Sequence, residues 1–240
     1  MRRFLLATGV VAPSLILCPV AFAFAGLDNS RTLAAAKAVG CSIDTNLPFA
    51  ATLEPWSGAK GSSKRIVATL SDPHDDEDLG KLCVGVAQTV GTTFVRVASL
   101  YVPGPRTPSE IQPIYNVFVG IDRAKFNYAP GQTAFAVRVT GELNTTAMIE
   151  KRTTLYLFRV NGDHIDLIFR AKGSAETIDK ADNGPPGDEI ICQGNKCDRE
   201  TYQIKFSQHM TRGAFDLLLS DKYHRNFKRH IWNGARYSAE

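Results

Sequence analysis

Past residue 25 this 240-residue chain has no apolar run of the roughly 20 residues that a membrane-crossing helix needs, so no part of it reads as a helical span. Excess charge is also small. Lys and Arg number 28 against 24 Asp and Glu, and apart from Lys222 to Arg229 the basic residues are dispersed. That distribution lacks the concentrated basic face on which sequence-independent nucleic-acid binding depends, so no nucleic acid is expected as a partner. Charged residues make up only 22% of the chain and hydrophobic ones 44%, which excludes a disordered polymer. There is no C-x-x-C pair, and neither a metal nor another cofactor is expected. Helical periodicity is scarce as well, and a helical bundle is excluded.

What the chain does have begins at its first residues. Arg2 and Arg3 form a basic n-region, Phe4 to Val20 an apolar h-region, and Ala21-Phe22-Ala23 or Ala23-Phe24-Ala25 supplies an A-x-A cleavage site. Residues 1–25 therefore read as an export signal. Pro13 and Pro19 interrupt the run against a retained anchor, Leu17 stands where lipidation of Cys18 would need a small residue, and Phe4 follows Arg3 without the polar neighbour of twin-arginine signals. Residues 26–240 remain as one mature domain with 26 basic and 24 acidic residues. Removal of Cys18 leaves an even set, Cys41, Cys83, Cys192 and Cys197, which in an oxidising compartment reads as two disulfides. Only Gln193-Gly194-Asn195-Lys196 separates Cys192 from Cys197, short enough for the two sulfurs to meet across a turn, and Cys41 pairs with Cys83 by exclusion.

Apolar and polar residues alternate with period two along most of the mature chain, as in strands with one buried face. Tyr202, Ile204 and Phe206 interleave with Gln203 and Lys205, while Phe135, Val137 and Val139 interleave with Ala136, Arg138 and Thr140, which are expected to face solvent. Asn161-Gly162 predicts a type I′ hairpin between Leu155–Val160 and Ile165–Ala171, and a second Asn-Gly, Asn233-Gly234, is expected to join Phe227–Trp232 with Arg236–Ala239. Further strands are expected at 64–70, 82–90, 93–102, 114–122 and 214–220. Ser30 to Gly40 has an N-cap residue, good helix formers and a closing glycine, so it predicts a short helix after the signal. The expected fold is all-β, with antiparallel sheets forming a sandwich or propeller-like meander of about 10–12 strands. A possible internal boundary falls in the proline-rich loop 103–113.

Chemistry-bearing clusters are few. Ser57-Gly58-Ala59-Lys60 has the S-x-x-K spacing of penicillin-recognising enzymes, but it lies in a Gly/Ser-rich loop without the partner motifs. Asp72 to Asp78 gathers carboxylates and His74 in a spacing that matches no calcium loop. His164 flanks a hairpin, His209 ends an amphipathic strand, and His224 and His230 sit in a basic, aromatic stretch. No Ser-His-Asp order or carboxylate pair stands out from these, so no catalytic residue is assigned. Asn144-Thr145-Thr146 is a sequon, relevant in a host that glycosylates.

Two resemblances add to this. Tyr128 to Val139, Leu155 to Asp163, Phe215 to Leu219 and Trp232 to Tyr237 together resemble exported β proteins of Gram-negative bacteria, which implies a periplasmic or secreted protein and carries no site residues. Gly234-Ala235-Arg236-Tyr237-Ser238-Ala239 is similar to part of the loop that periplasmic lysozyme inhibitors insert into their target, although the leading Ser-x-Ser is missing. The expected function is a non-enzymatic, disulfide-stabilised binding protein of the bacterial envelope, whose partner is an envelope protein or glycan. A hydrolase acting on cell-wall or surface polymer, or an inhibitor of a lysozyme-like enzyme, is the alternative. A cleft gathering Asp72 to Asp78, His164 and His209 would favour the hydrolase, and a flat face with exposed aromatics would favour binding.

Overall fold

Residues 29–43, 51–56, 63–71, 80–104, 116–144, 148–179, 197–221 and 227–240 are described by a computed structural model. Within them one helix, α1 (Asn29–Val39), precedes the strands β1 (Ala51–Pro55), β2 (Lys64–Ser71), β3 (Lys81–Val90), β4 (Thr93–Pro103), β5 (Asn116–Ala129) and β6 (Gln132–Asn144). There follow β7 (Met148–Asn161), β8 (His164–Asp179), β9 (Cys197–Thr211), β10 (Ala214–Asp221), β11 (Phe227–Trp232) and β12 (Tyr237–Ala239). Within each sheet every strand pairs antiparallel with its neighbours in sequence, which gives a four-stranded sheet β1-β2-β3-β4 and an eight-stranded sheet running from β5 to β12. The changeover between the two sheets falls between Pro103 and Asn116.

The eight-stranded sheet does not stay flat. β8 and β9 pair only through Ser174–Ile178 and Cys197–Thr201, and beyond that point they diverge. The remainder of β9, with β10 to β12, packs back over one face of β5 to β8. Two cores result. Ile66, Leu70, Leu82, Val84 and Val86 of the four-stranded sheet meet Val119, Phe135, Val137, Tyr156 and Phe158. On the other side of the same strands Ala134, Ala136, Leu155, Leu157 and Ile168 meet Leu217, Leu219, Trp232 and Tyr237. β6 and β7 are thus buried on both faces, and the expectation that Ala136 faces solvent is corrected: it is fully buried. The architecture is a layered, all-β sandwich, not a propeller.

Bulges make this geometry possible. Phe158 pairs with Leu167 and Leu157 with Phe169, leaving Ile168 as an extra residue, so Ile168 and Phe169 both enter the second core. β5 runs past its expected end at Asp122 because the register shifts between Asp122 and Phe126, which returns Phe126 and Tyr128 to that core. Turn chemistry differs from the sequence reading at Asn161-Gly162. Asn161 pairs with His164, so the hairpin loop is Gly162-Asp163, with only Gly162 left-handed (φ 63°), the II′ pattern. The I′ pattern falls at Arg212-Gly213, where both residues have positive φ (52° and 85°). Arg212, the one non-glycine residue with positive φ among those described, is held by a bond from its Nη1 to the carbonyl of Asn233 (3.1 Å).

α1 lies on the outer face of the four-stranded sheet. Its C-terminus closes with a Schellman motif, in which Cys41 N–H bonds the Ala36 carbonyl (2.9 Å) and Gly40 N–H bonds the Lys37 carbonyl (3.2 Å), with Gly40 left-handed. Val39 sits directly over Gly85, where even a Cβ would come within 2.5 Å of its Cγ2. Cys41 and Cys83 are disulfide-bonded with their Cα atoms 5.6 Å apart, as expected from the sequence. Tyr101 OH donates to the Gly40 carbonyl (2.6 Å) and accepts from Ser42 N–H (3.2 Å), fixing the same joint from β4. The expected Cys192–Cys197 bridge, residues 1–25, Ser57 to Lys60 and Asp72 to Asp78 lie outside the described residues or, for Cys197, outside the described side chains.

Candidate outer-face site on the C-terminal sheet

The inner face of β9 to β12 carries Ile204, Phe206, Leu217, Leu219, His230, Trp232 and Tyr237, so strand alternation assigns the opposite face to solvent. Across that outer face Gln203, Ser220 and Phe227 form one cross-strand row and Lys205, Leu218 and Arg229 the next. Phe227 is 71% exposed, the most exposed of the large hydrophobic side chains described.

Beyond these rows a bulge changes the chemistry. Phe215 pairs with Met210 but Leu217 with Phe206, so β9 has two extra residues opposite Asp216. Ser207 Oγ stabilises the bulge by accepting from His209 N–H (3.1 Å) and donating to the His209 carbonyl (3.2 Å). The detour carries the His209 ring to Asp216, with Nδ1 2.5 Å from Oδ2. Arg229 donates to the same oxygen from Nη2 (2.7 Å) and Nε (3.1 Å), and from Nη1 to Glu240 (3.0 Å). Asp216 has no solvent-accessible surface, because these side chains lie over it on a sheet face that otherwise meets water. Burial alone would raise the proton affinity of its carboxyl. Contacts from Thr211, Arg229 and His209 outweigh that and hold it below the ordinary carboxylate value, although Thr211 does not make a well-formed bond to Oδ1. Asp216 in turn pushes the proton affinity of Arg229 up, so both partners are ionised.

This cluster contains Ser207, His209 and Asp216 yet is not built as a catalytic triad. Asp216 on His209 Nδ1 is the pairing a triad requires, but the serine hydroxyl is engaged with the backbone of His209 and not with its ring, so Ser207 is not poised as a nucleophile. His164, the other expected candidate, makes an exposed pair with its neighbour Asp163 (3.0 Å) at the β7–β8 turn, an arrangement worth little. No contact among the described residues joins it to His209. The sequence reading missed Asp216 altogether. Its signal was a lone acid inside the apolar strand Ala214-Phe215-Asp216-Leu217-Leu218-Leu219.

His230 lies on the inner face of β11, edge-on to Phe169 with ring centroids 4.8 Å apart. Its Nε2 is buried without a partner among the described residues, and burial, aided by the Lys228 charge, lowers its proton affinity below the ordinary 6.5. A depressed histidine favours folding fully above the unfolded pKa and loses that contribution as pH falls from about 6.5. The urea midpoint should therefore drop between pH 7.5 and pH 5, and drop less in His230→Phe, which keeps the ring packing. Equal drops in the two proteins would rule out His230 as the cause.

The gathered geometry defines a class, an antiparallel β meander folded into a disulfide-stapled sandwich with a polar, aromatic outer face. Comparison with known proteins adds no name to that class, since no family model, curated protein or solved structure matches the chain.

Proposed function

We propose that the protein is an exported, non-enzymatic binding protein of the bacterial envelope and that the outer face of β9 to β12 is its binding surface. Phe227 is the observation that carries this reading. A ring 71% exposed, in a cross-strand row with Ser220 and Gln203, offers a rigid aromatic contact to a partner. Aromatic and planar polar side chains on a rigid sheet bind with little loss of side-chain entropy. Export is supported by the basic and apolar leader with its A-x-A site, and by the Cys41–Cys83 bond, a link that persists in oxidising compartments.

A photo-crosslinking residue placed at position 227, in the protein expressed at native level in its own cells, tests the surface. An adduct from position 227 that is absent from the exposed position 164 is the expected result. Equal labelling from both positions, or none from position 227, would contradict it.

A further inference from the structure

Asn-Gly occurs three times in the chain, at Asn161-Gly162, Asn183-Gly184 and Asn233-Gly234. The second lies outside the described residues, and the other two are held in opposite ways. Asn161 is the last ladder residue of β7, paired across the hairpin with His164, and its side-chain carbonyl accepts no bond among the described residues. Asn233 lies past the end of β11, exposed in the turn to β12. Its Oδ1 accepts from the Ala235 N–H and the Arg236 N–H, both at 2.9 Å. These bonds curl the side chain back over the Gly234 peptide, whose N–H has no acceptor among the described residues. The main-chain oxygen of Asn233 accepts from Arg212 Nη1 at 3.1 Å. Both carbonyls of Asn233 therefore carry donors, two amides on the side chain and a guanidinium on the main chain.

Hydrogen bonds to a carbonyl oxygen make its carbon more open to attack, because the donors stabilise the negative charge that builds on the oxygen. The nucleophile at hand for Cγ is the Gly234 nitrogen. Its attack closes a five-membered ring, and glycine has no Cβ to obstruct the approach.

We propose that Asn233 is a site of spontaneous isoaspartate formation and that Arg212 directs the product. The Gly234 nitrogen bonds to Cγ, the Cγ–Nδ2 bond breaks, and the proton from Gly234 leaves with the amide as ammonia. Solvent water then opens the cyclic imide. Attack at Cγ gives an aspartyl residue, whereas attack at the main-chain carbon breaks its bond to the Gly234 nitrogen and leaves an isoaspartyl link with a free carboxylate. The main-chain carbon is the one whose oxygen Arg212 holds, so the guanidinium favours attack there and then pairs with the carboxylate produced. The turn gains one backbone carbon and a negative charge facing Arg212. Asn161 is protected, since bringing its Cγ to the Gly162 nitrogen would require it to leave the extended backbone that pairing with His164 fixes.

Incubation of the exported protein at mildly alkaline pH in heavy-oxygen water, followed by peptide mapping with electron-transfer fragmentation, tests this. In the folded protein Asn233 should convert at least about tenfold faster than Asn161. In urea the two should convert at similar rates, which assigns the difference to the fold and not to the dipeptide. The oxygen label should enter at position 233 mainly as isoaspartate. Arg212→Gly removes the guanidinium while suiting the left-handed backbone at that position, so the sheet should be retained, as thermal unfolding will show. The variant should still lose ammonia at Asn233 but give a larger aspartyl share. An intact Asn233, or conversion of Asn161 as fast as Asn233 in the folded protein, overturns the site. An isoaspartyl share that Arg212→Gly leaves unchanged removes the directing role of Arg212.

Discussion

Phe158→Ala and Leu157→Ala, made separately, should both destabilise the protein strongly, by about 3–5 and about 2–5 kcal/mol respectively in urea unfolding. The two residues are adjacent on β7 and so point to opposite faces of the strand. Phe158 packs against Phe135 with ring centroids 5.6 Å apart in the core shared with the four-stranded sheet. Leu157 packs in the other core, with Leu217 and Trp232. In a two-layer sandwich one of any such pair would face solvent, and its truncation would cost about 0.5 kcal/mol or less. A large loss for one and a negligible loss for the other would remove the middle layer from this fold.

Replacing Cys41 and Cys83 together by alanine should cost about 4 kcal/mol, because the bond closes a loop across a sequence separation of 42 residues. The same replacement at Cys192 and Cys197 should cost about half as much, since the entropy withheld from the unfolded chain grows with the loop enclosed. α1 is also seated by Val39 over Gly85 and by Tyr101 at Gly40, so the loss acts mainly through the unfolded chain and the helix stays in place. Preserved near-native circular dichroism at low denaturant, with a lowered urea midpoint, is the expected signature. Equal or reversed losses for the two bridges would mean that the short ring shapes more than its own turn.

Much of this fold is legible in the sequence because its strands announce themselves locally. Ile66 to Thr69, Val84 with Val86, and Tyr202 to Phe206 carry enough β-forming residues to fix their state, and Gly40 marks the end of α1. What depends on a third layer is not local. Ala136 reads as the polar side of an alternating strand because alanine is small, and only the fold-back of β9 to β12 buries it. Leu155-Tyr156-Leu157-Phe158 did hold the signal, since an unbroken apolar run marks a strand covered on both faces. β1 escapes notice because Ala51-Thr52-Leu53-Glu54-Pro55 offers one large apolar residue and ends on proline. Asn161-Gly162 was the stronger I′ pattern, yet pairing of Asn161 with His164 shifted that loop by one residue. Arg212-Gly213 adopted I′ instead, with Arg212 anchored to the neighbouring hairpin.

The outer-face site was the least legible part. His209 could be placed on a strand, but its meeting with Asp216 depends on two extra residues in β9, and a bulge of that kind has no sequence mark beyond Ser207. Phe227, Lys228 and Arg229 read as a basic, aromatic stretch, but the register of three strands decides that Phe227 shares a row with Ser220 and Gln203.

Export is the premise on which both the disulfide framework and an envelope ligand depend. Intact-mass measurement of the protein recovered from its cells, without reduction and with a thiol-reactive tag present, tests it directly. The expected product begins at residue 24 or 26, is released without detergent, and takes up no tag because Cys41, Cys83, Cys192 and Cys197 are all bonded. A mass that retains residues 1–23, or one that adds tag at any of the four cysteines, would contradict it.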